Sequence, residues 1–136
     1  MKRTLFLLIS LVMVLFLSAC SGGIKNDDAK EHVNGFFDAV KSEDYELAST
    51  FLHPERPTDL KTFFDSLKSQ ENLDFSNIEI EKYTGFSSSL YDSTVNGAAY
   101  SLNMTAIVSE KDIQIEIEIV KNDNGYGIYN FNINPQ

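Results

Sequence analysis

Tyr100-Ser101-Leu102-Asn103-Met104-Thr105-Ala106-Ile107-Val108, then Ser109-Glu110-Lys111-Asp112, then Ile113-Gln114-Ile115-Glu116-Ile117-Glu118-Ile119: this stretch decides the fold. Apolar and polar residues alternate with a period of two on either side of a short polar break, Ile107 being the exception. That is the pattern of two strands with one buried face each. Joining them through residues 109–112 sets Val108 opposite Ile113 and Met104 opposite Ile117, so the apolar faces coincide.

The next turn is Asp123-Asn124-Gly125. A two-residue turn at Asn124-Gly125 would set Ile119 opposite Asn130 and mix core with solvent. A three-residue loop with Gly125 left-handed sets Ile119 opposite Tyr129, Ile117 opposite Phe131 and Ile115 opposite Ile133. The sequence therefore predicts a three-residue loop with a glycine bulge. Upstream, Ile78 and Ile80 alternate with Glu79 and Glu81, which predicts a further strand. The Ser-rich run 86–97 reads as a long loop or an irregular edge strand.

Before residue 74 the period is helical. Ala29, Val33, Phe36, Phe37 and Val40 fall on one stripe of a helix over 29–41, with Asp28 as N-cap and Glu31 completing a capping box. Asp44 caps a short second helix carrying Tyr45, Ala48, Phe51 and Leu52, which Pro54 and Pro57 end. Thr58 caps a third, in which Leu60, Phe63, Phe64 and Leu67 repeat at helical spacing. Helices that must cover the apolar face of an antiparallel sheet of four or more strands make an α+β fold in two layers.

At the N-terminus, Lys2 and Arg3 precede an apolar run, 5–17, broken only by Ser10 and too short to span a bilayer. Small residues Ser18 and Ala19 follow, as a signal peptidase requires. Leu17-Ser18-Ala19-Cys20 resembles the lipobox of bacterial lipoproteins. The resemblance implies a signal peptide over 1–19, cleavage between Ala19 and Cys20, and a diacylglyceryl group on the Cys20 thiol. Two acyl chains contribute on the order of 20 kcal/mol of membrane affinity. Repulsion of an acidic domain by anionic headgroups is about 1 kcal/mol per nearby charge, so the lipid dominates. Residues 20–28 read as the lipidated cysteine and a flexible tether, in which 21–27 reach at most ~25 Å. Residues 29–136 form a single domain.

Of the 136 residues, 19 belong to this leader, leaving 117, enough for one core. The net charge of −9 becomes −11 once Lys2 and Arg3 leave, with 9 basic residues against 20 acidic. No Lys/Arg cluster offsets this, so nucleic acid is not an expected partner. One cysteine excludes an intramolecular disulfide, and lipid on its sulfur removes it as a nucleophile or metal ligand.

The run from Ala29 to Ala48, with its Phe36-Phe37-Asp38-Ala39 and Asp44-Tyr45-Glu46-Leu47-Ala48 elements, is similar to the opening of nuclear transport factor 2-like (cystatin-like) domains. The likeness extends by element order to about Ile133. It implies helices wrapped around a strongly curved sheet, a cone that often holds a pocket. Phe36, Phe37, Tyr100, Met104, Tyr129 and Phe131 are the candidate lining. Members of that superfamily include isomerases and dehydratases as well as non-catalytic binding domains, so the fold selects no activity.

Candidate chemistry is sparse. His32 reads as a surface histidine. His53, before Pro54, reads as capping the carbonyls of a helix end. General acid–base work at His53 would need Asp59 or Tyr83 within hydrogen-bond reach. Glu116 and Glu118 point away from the apolar face. Asn122-Asp123-Asn124-Gly125 lacks the alternating ligands and the twelfth-position Glu of a calcium loop and reads as a hairpin turn. No zinc-ligand spacing, phosphate loop or nucleophile elbow is present, and no cofactor is expected. The expectation is a membrane-anchored extracytoplasmic lipoprotein that binds a small apolar ligand or an envelope protein through a pocket or its exposed sheet. A pocket enzyme of isomerase or hydrolase type and a structural envelope-assembly lipoprotein are the alternatives.

Overall fold

The computed structural model describes residues 23–136. The segment 1–19 expected to be a signal peptide, and Cys20, lie outside the described residues. Three helices, α1 (Asn26–Lys41), α2 (Tyr45–Ser49) and α3 (Leu60–Glu71), and a 3₁₀ turn, Phe75–Asn77, precede four strands. These are β1 (Glu79–Asp92), β2 (Gly97–Val108), β3 (Lys111–Asn122) and β4 (Gly125–Pro135), antiparallel in the order β1-β2-β3-β4. The chain is α+β, with the helices packed on one face of the sheet.

The apolar stripe of α1 is buried as expected: Ala29, Val33, Phe36, Phe37 and Val40, with Ala39 besides. Its start differs. The helix begins at Asn26 with Lys25 as N-cap and no side-chain cap, so Asp28 lies inside the first turn. The extra turn is held by tertiary contacts: Ile24 packs against the core and the Asn26 amide donates to the Tyr100 hydroxyl. Residues 26–28, expected as part of a flexible tether, are instead the first turn of this helix. Asp27 and Asp28 near the helix start still suit the helix dipole.

Asp44 caps α2 as expected, accepting from the Leu47 N–H at 3.0 Å. In α3 the cap is Asp59 in place of Thr58. Its carboxylate accepts from both the N–H and the hydroxyl of Thr62, at 3.1 and 2.8 Å, which the shorter Thr58 side chain one residue back does not do.

The β2–β3 hairpin is tighter than expected. Val108 pairs with Lys111 and Met104 with Ile115, in place of Met104 with Ile117. The turn is Ser109-Glu110, both left-handed (φ 51° and 65°), as a two-residue hairpin turn requires. Neither residue favours that conformation alone. Ser109 is held from outside: its Oγ accepts from the Asp74 N–H and its own N–H donates to Asn77 Oδ1, both at 2.9 Å. The correction is a shift of two, which leaves every side chain on its expected face.

In the β3–β4 hairpin, Ile117 pairs with Phe131 and Ile115 with Ile133, as expected. The loop is two residues, Asp123-Asn124, with Asn122 paired to Gly125, and the extra residue is further along the strand. Ile119 pairs with Ile128 while Glu118 pairs with Asn130, which leaves Tyr129 as the bulge. The run 86–97 resolves in favour of the irregular edge strand. β1 continues to Asp92 with register shifts at three places, then turns through 93–96.

One feature was not visible in the sequence. After α2 the chain runs beside β4: Leu52 bridges Ile128 in parallel, the Ile128 N–H donates to Phe51 O and the His53 N–H to Ile128 O. Gly127 permits this, since a Cβ there would lie 2.5 Å from the His53 nitrogen. The segment covers part of an otherwise open sheet edge.

Candidate functional site

The layer between helices and sheet is packed around Phe36 and Met104, and a recess of ≈ 360 Å³ opens at its edge between Phe37, Asp38 and Lys41 of α1 and Ile78, Glu79 and Ile80 at the start of β1. Phe36, Phe37, Tyr100 and Met104 are buried there, and the Phe36 ring meets those of Phe37, Phe64 and Phe131 at 5.1, 6.4 and 6.0 Å. These four candidate lining residues, with the partly buried Phe131, are packing residues of the core. Tyr129 is not with them. The bulge turns it to the opposite face, where it packs on Val95, Ala99 and Val120 under the Arg56 guanidinium, 4.5 Å from its ring centre.

The histidines are also engaged structurally. His53 has no solvent exposure. Its Nδ1 accepts from the Glu55 N–H at 3.1 Å, so the ring proton sits on Nε2 and is donated to Asn122 Oδ1 at 3.0 Å. Asn122 Nδ2 donates in turn to Glu55 Oε2 (2.7 Å) and to Val95 O (2.9 Å), and Asn124 Nδ2 donates to Glu55 Oε1 (2.9 Å). These amides hold the Glu55 carboxyl below its ordinary pKa. The partners considered for His53 lie elsewhere: Asp59 caps α3, and the Tyr83 hydroxyl donates to Asn34 Oδ1 at 2.8 Å.

His32, expected at the surface, is half-buried. It contacts the rings of Phe51 and Tyr126 edge-on, at 5.0 and 4.9 Å, and its Nε2 bonds the Phe51 carbonyl at 2.8 Å. Burial lowers its pKa, against the smaller opposite effect of that hydrogen bond.

The face of the sheet turned away from the helices has a different chemistry. Pairing aligns its outward residues in rows across the strands. Ser87, Ser101, Glu118 and Asn130 form one, Gly85, Asn103, Glu116 and Asn132 a second, and Lys82, Thr105, Gln114 and Asn134 a third. Amides, hydroxyls and two carboxylates are thus presented by rigid strands, side by side at the ~5 Å spacing of paired strands. Asn130 Nδ2 donates to Glu118 Oε1 at 2.9 Å and fixes that carboxylate. Ser101, Asn103, Glu116, Glu118, Asn130 and Asn132 border a recess of ≈ 430 Å³. The buried Thr105 hydroxyl in the third row has no hydrogen-bond partner among the described residues. This face can donate and accept many hydrogen bonds at fixed positions.

Among the described residues no three His, Cys, Asp or Glu side chains gather as metal ligands, and no helix is long and apolar enough to cross a membrane. No protein-family model matches the chain, nor does any curated protein or solved structure.

Proposed function

We propose that this chain is a lipoprotein, anchored through Cys20 at the extracytoplasmic face of a bacterial membrane, whose open sheet face binds an envelope protein. In a single-membrane envelope the address is the cell membrane; in a double-membrane envelope it can be the outer membrane. The anchor reading rests on Leu17-Ser18-Ala19-Cys20 at the end of a charged and apolar leader. The similarity to nuclear transport factor 2-like domains belongs to the same proposal, with the sheet closing towards a cystatin-like cone.

The observation that carries the binding role is the alignment of polar rows on the uncovered face of the sheet. Such a face suits a hydrogen-bonding protein partner better than a small apolar ligand, because each bond to a fixed donor or acceptor adds to specificity while apolar area is scarce. With Phe36 and Met104 buried in the core, and Lys41, Asp38 and Glu79 bordering the recess beside Phe37, the sheet is the better-supported surface of the two considered.

Photo-crosslinking in cells tests this. A photoreactive residue at Asn103 or Asn132 is expected to give a discrete adduct that Glu116→Lys abolishes, while the same residue at Ser69 on exposed α3 gives none. Equal adducts from both faces, or none from the sheet, would refute the assignment.

A further inference from the structure

We propose that the tip of the β1–β2 hairpin docks on the bilayer that holds the anchor, with Leu90 and Tyr91 entering the membrane–water interface. This rests on the lipid-anchor reading of Cys20.

Among the described residues, the two most exposed large hydrophobic side chains are neighbours in sequence: Leu90 at 80% and Tyr91 at 66%. The chain enters the domain beside them. A Cβ on Gly23 would lie 3.3 Å from Leu90 Cδ2. Ile24 is packed against the core and α1 begins at Asn26, so this entry point is fixed. Three residue steps separate Cys20 from Gly23, at most ~11 Å of extended chain. A lipid on Cys20 therefore keeps Leu90 within reach of the headgroup layer.

The rest of that end fits the same surface. The 93–96 turn and the Asp123-Asn124 turn close both hairpins there, since Gly97 pairs with Asn122 and Asn122 with Gly125. The Ser109-Glu110 turn is at the opposite end of strands twelve residues long, ~35 Å away. Leucine is apolar, and a tyrosine ring with its polar hydroxyl is suited to the interface. Lys121 and Asp123 border the recess beside Leu90 and Tyr91, Glu55 shares a second recess with Tyr91 and Asp123, and Asp92 follows Tyr91 in the chain. Three acids against one lysine favour a zwitterionic headgroup layer over an anionic one. Docking in this way would stand the strands away from the membrane and present the polar face sideways.

The chain has no tryptophan, so Tyr91→Trp and Asp112→Trp place single reporters at the two ends of the sheet. Each variant is prepared as the full lipidated protein in phosphatidylcholine vesicles, with and without bromine on the acyl chains. Both are expected to float with the vesicles. Emission from Tyr91→Trp is expected to shift to the blue and be quenched by brominated lipid, and adding Leu90→Asp to abolish the quenching without changing flotation. Asp112→Trp is expected to be insensitive. Flotation with unshifted, unquenched emission from Tyr91→Trp overturns the docking and leaves the anchor standing. A blue shift that grows with protein concentration and ignores brominated lipid overturns it in favour of a second copy of the chain. Failure to float, with a bare Cys20 thiol by mass, overturns the anchor and the docking with it.

Discussion

Nε2 of His53 donates to Oδ1 of Asn122 across 3.0 Å, joining the segment after α2 to the end of the β3–β4 hairpin at a point where the imidazole has no contact with solvent. Asn122 also satisfies Val95 O and Glu55. Asn122→Ala leaves a buried N–H and a carbonyl unpaired, each costing about 1–3 kcal/mol. Urea denaturation is expected to show a loss of at least about 2 kcal/mol; a loss under about 0.5 kcal/mol would mean that water replaces the amide and that the junction is looser than described.

Gly127 is where that segment lies against β4. A methyl group there meets the His53 nitrogen at 2.5 Å and the Leu52 carbonyl carbon at 2.6 Å, both backbone atoms that cannot swing aside. Gly127→Ala is expected to destabilise by about 2 kcal/mol or more, while Gly23→Ala, whose new methyl would meet only the end of the Leu90 side chain, leaves the midpoint nearly unchanged.

Phe36 is wholly buried among Phe37, Phe64 and Phe131. Phe36→Ala opens a cavity and is expected to cost on the order of 3–5 kcal/mol in thermal or chemical unfolding. A change near 1 kcal/mol would contradict the packed interior on which the choice of the sheet face depends.

Two groups give the stability opposite causes of acid sensitivity in separate pH windows. The Asp74 carboxyl, bonded by the Ser76 hydroxyl, Lys68 and the Ser76 N–H, is held down to about 2 from an ordinary 3.8. Its contribution is complete above 3.8 and is lost as the pH falls through about 2. With its side chain 30% exposed, solvent screening leaves about 1 kcal/mol of it. Asp74→Asn should weaken the acid sensitivity below pH 3.8 without abolishing it, because Glu55, Asp59 and Asp92 are also held below their ordinary values. His32 has its pKa lowered from 6.5 by burial, so the unfolded chain takes up the proton first and stability declines as the pH falls below 6.5. His32→Gln should flatten this upper window and leave the lower one in place, as read by unfolding midpoints between pH 7 and pH 2.

What the sequence conveyed was mostly facial. Period-two alternation in β2 and β3 assigned Leu102, Met104, Ile115 and Ile117 to the core, and helical spacing did the same for Val33 and Phe36. Alternation is blind to a slip of two, so it could not tell Ile115 from Ile117 as the partner of Met104. The deciding contacts, Asp74 and Asn77 on Ser109, are 32 to 35 residues distant in the chain and leave no local signature. A single bulge in the loop turns Tyr129 inward; moved up the strand, where it lies, the same bulge reverses its face. The polar rows of the candidate site were legible as outward positions, but their alignment across four strands depends on registers that only the folded chain supplies.

The anchor on Cys20 is the claim from which address and orientation both follow. Intact-mass analysis of the protein isolated from the membranes of cells that make it natively tests it most directly. The account predicts a polypeptide that starts at Cys20 and carries the added mass of a diacylglyceryl thioether. A soluble protein with that sulfur unmodified would contradict it.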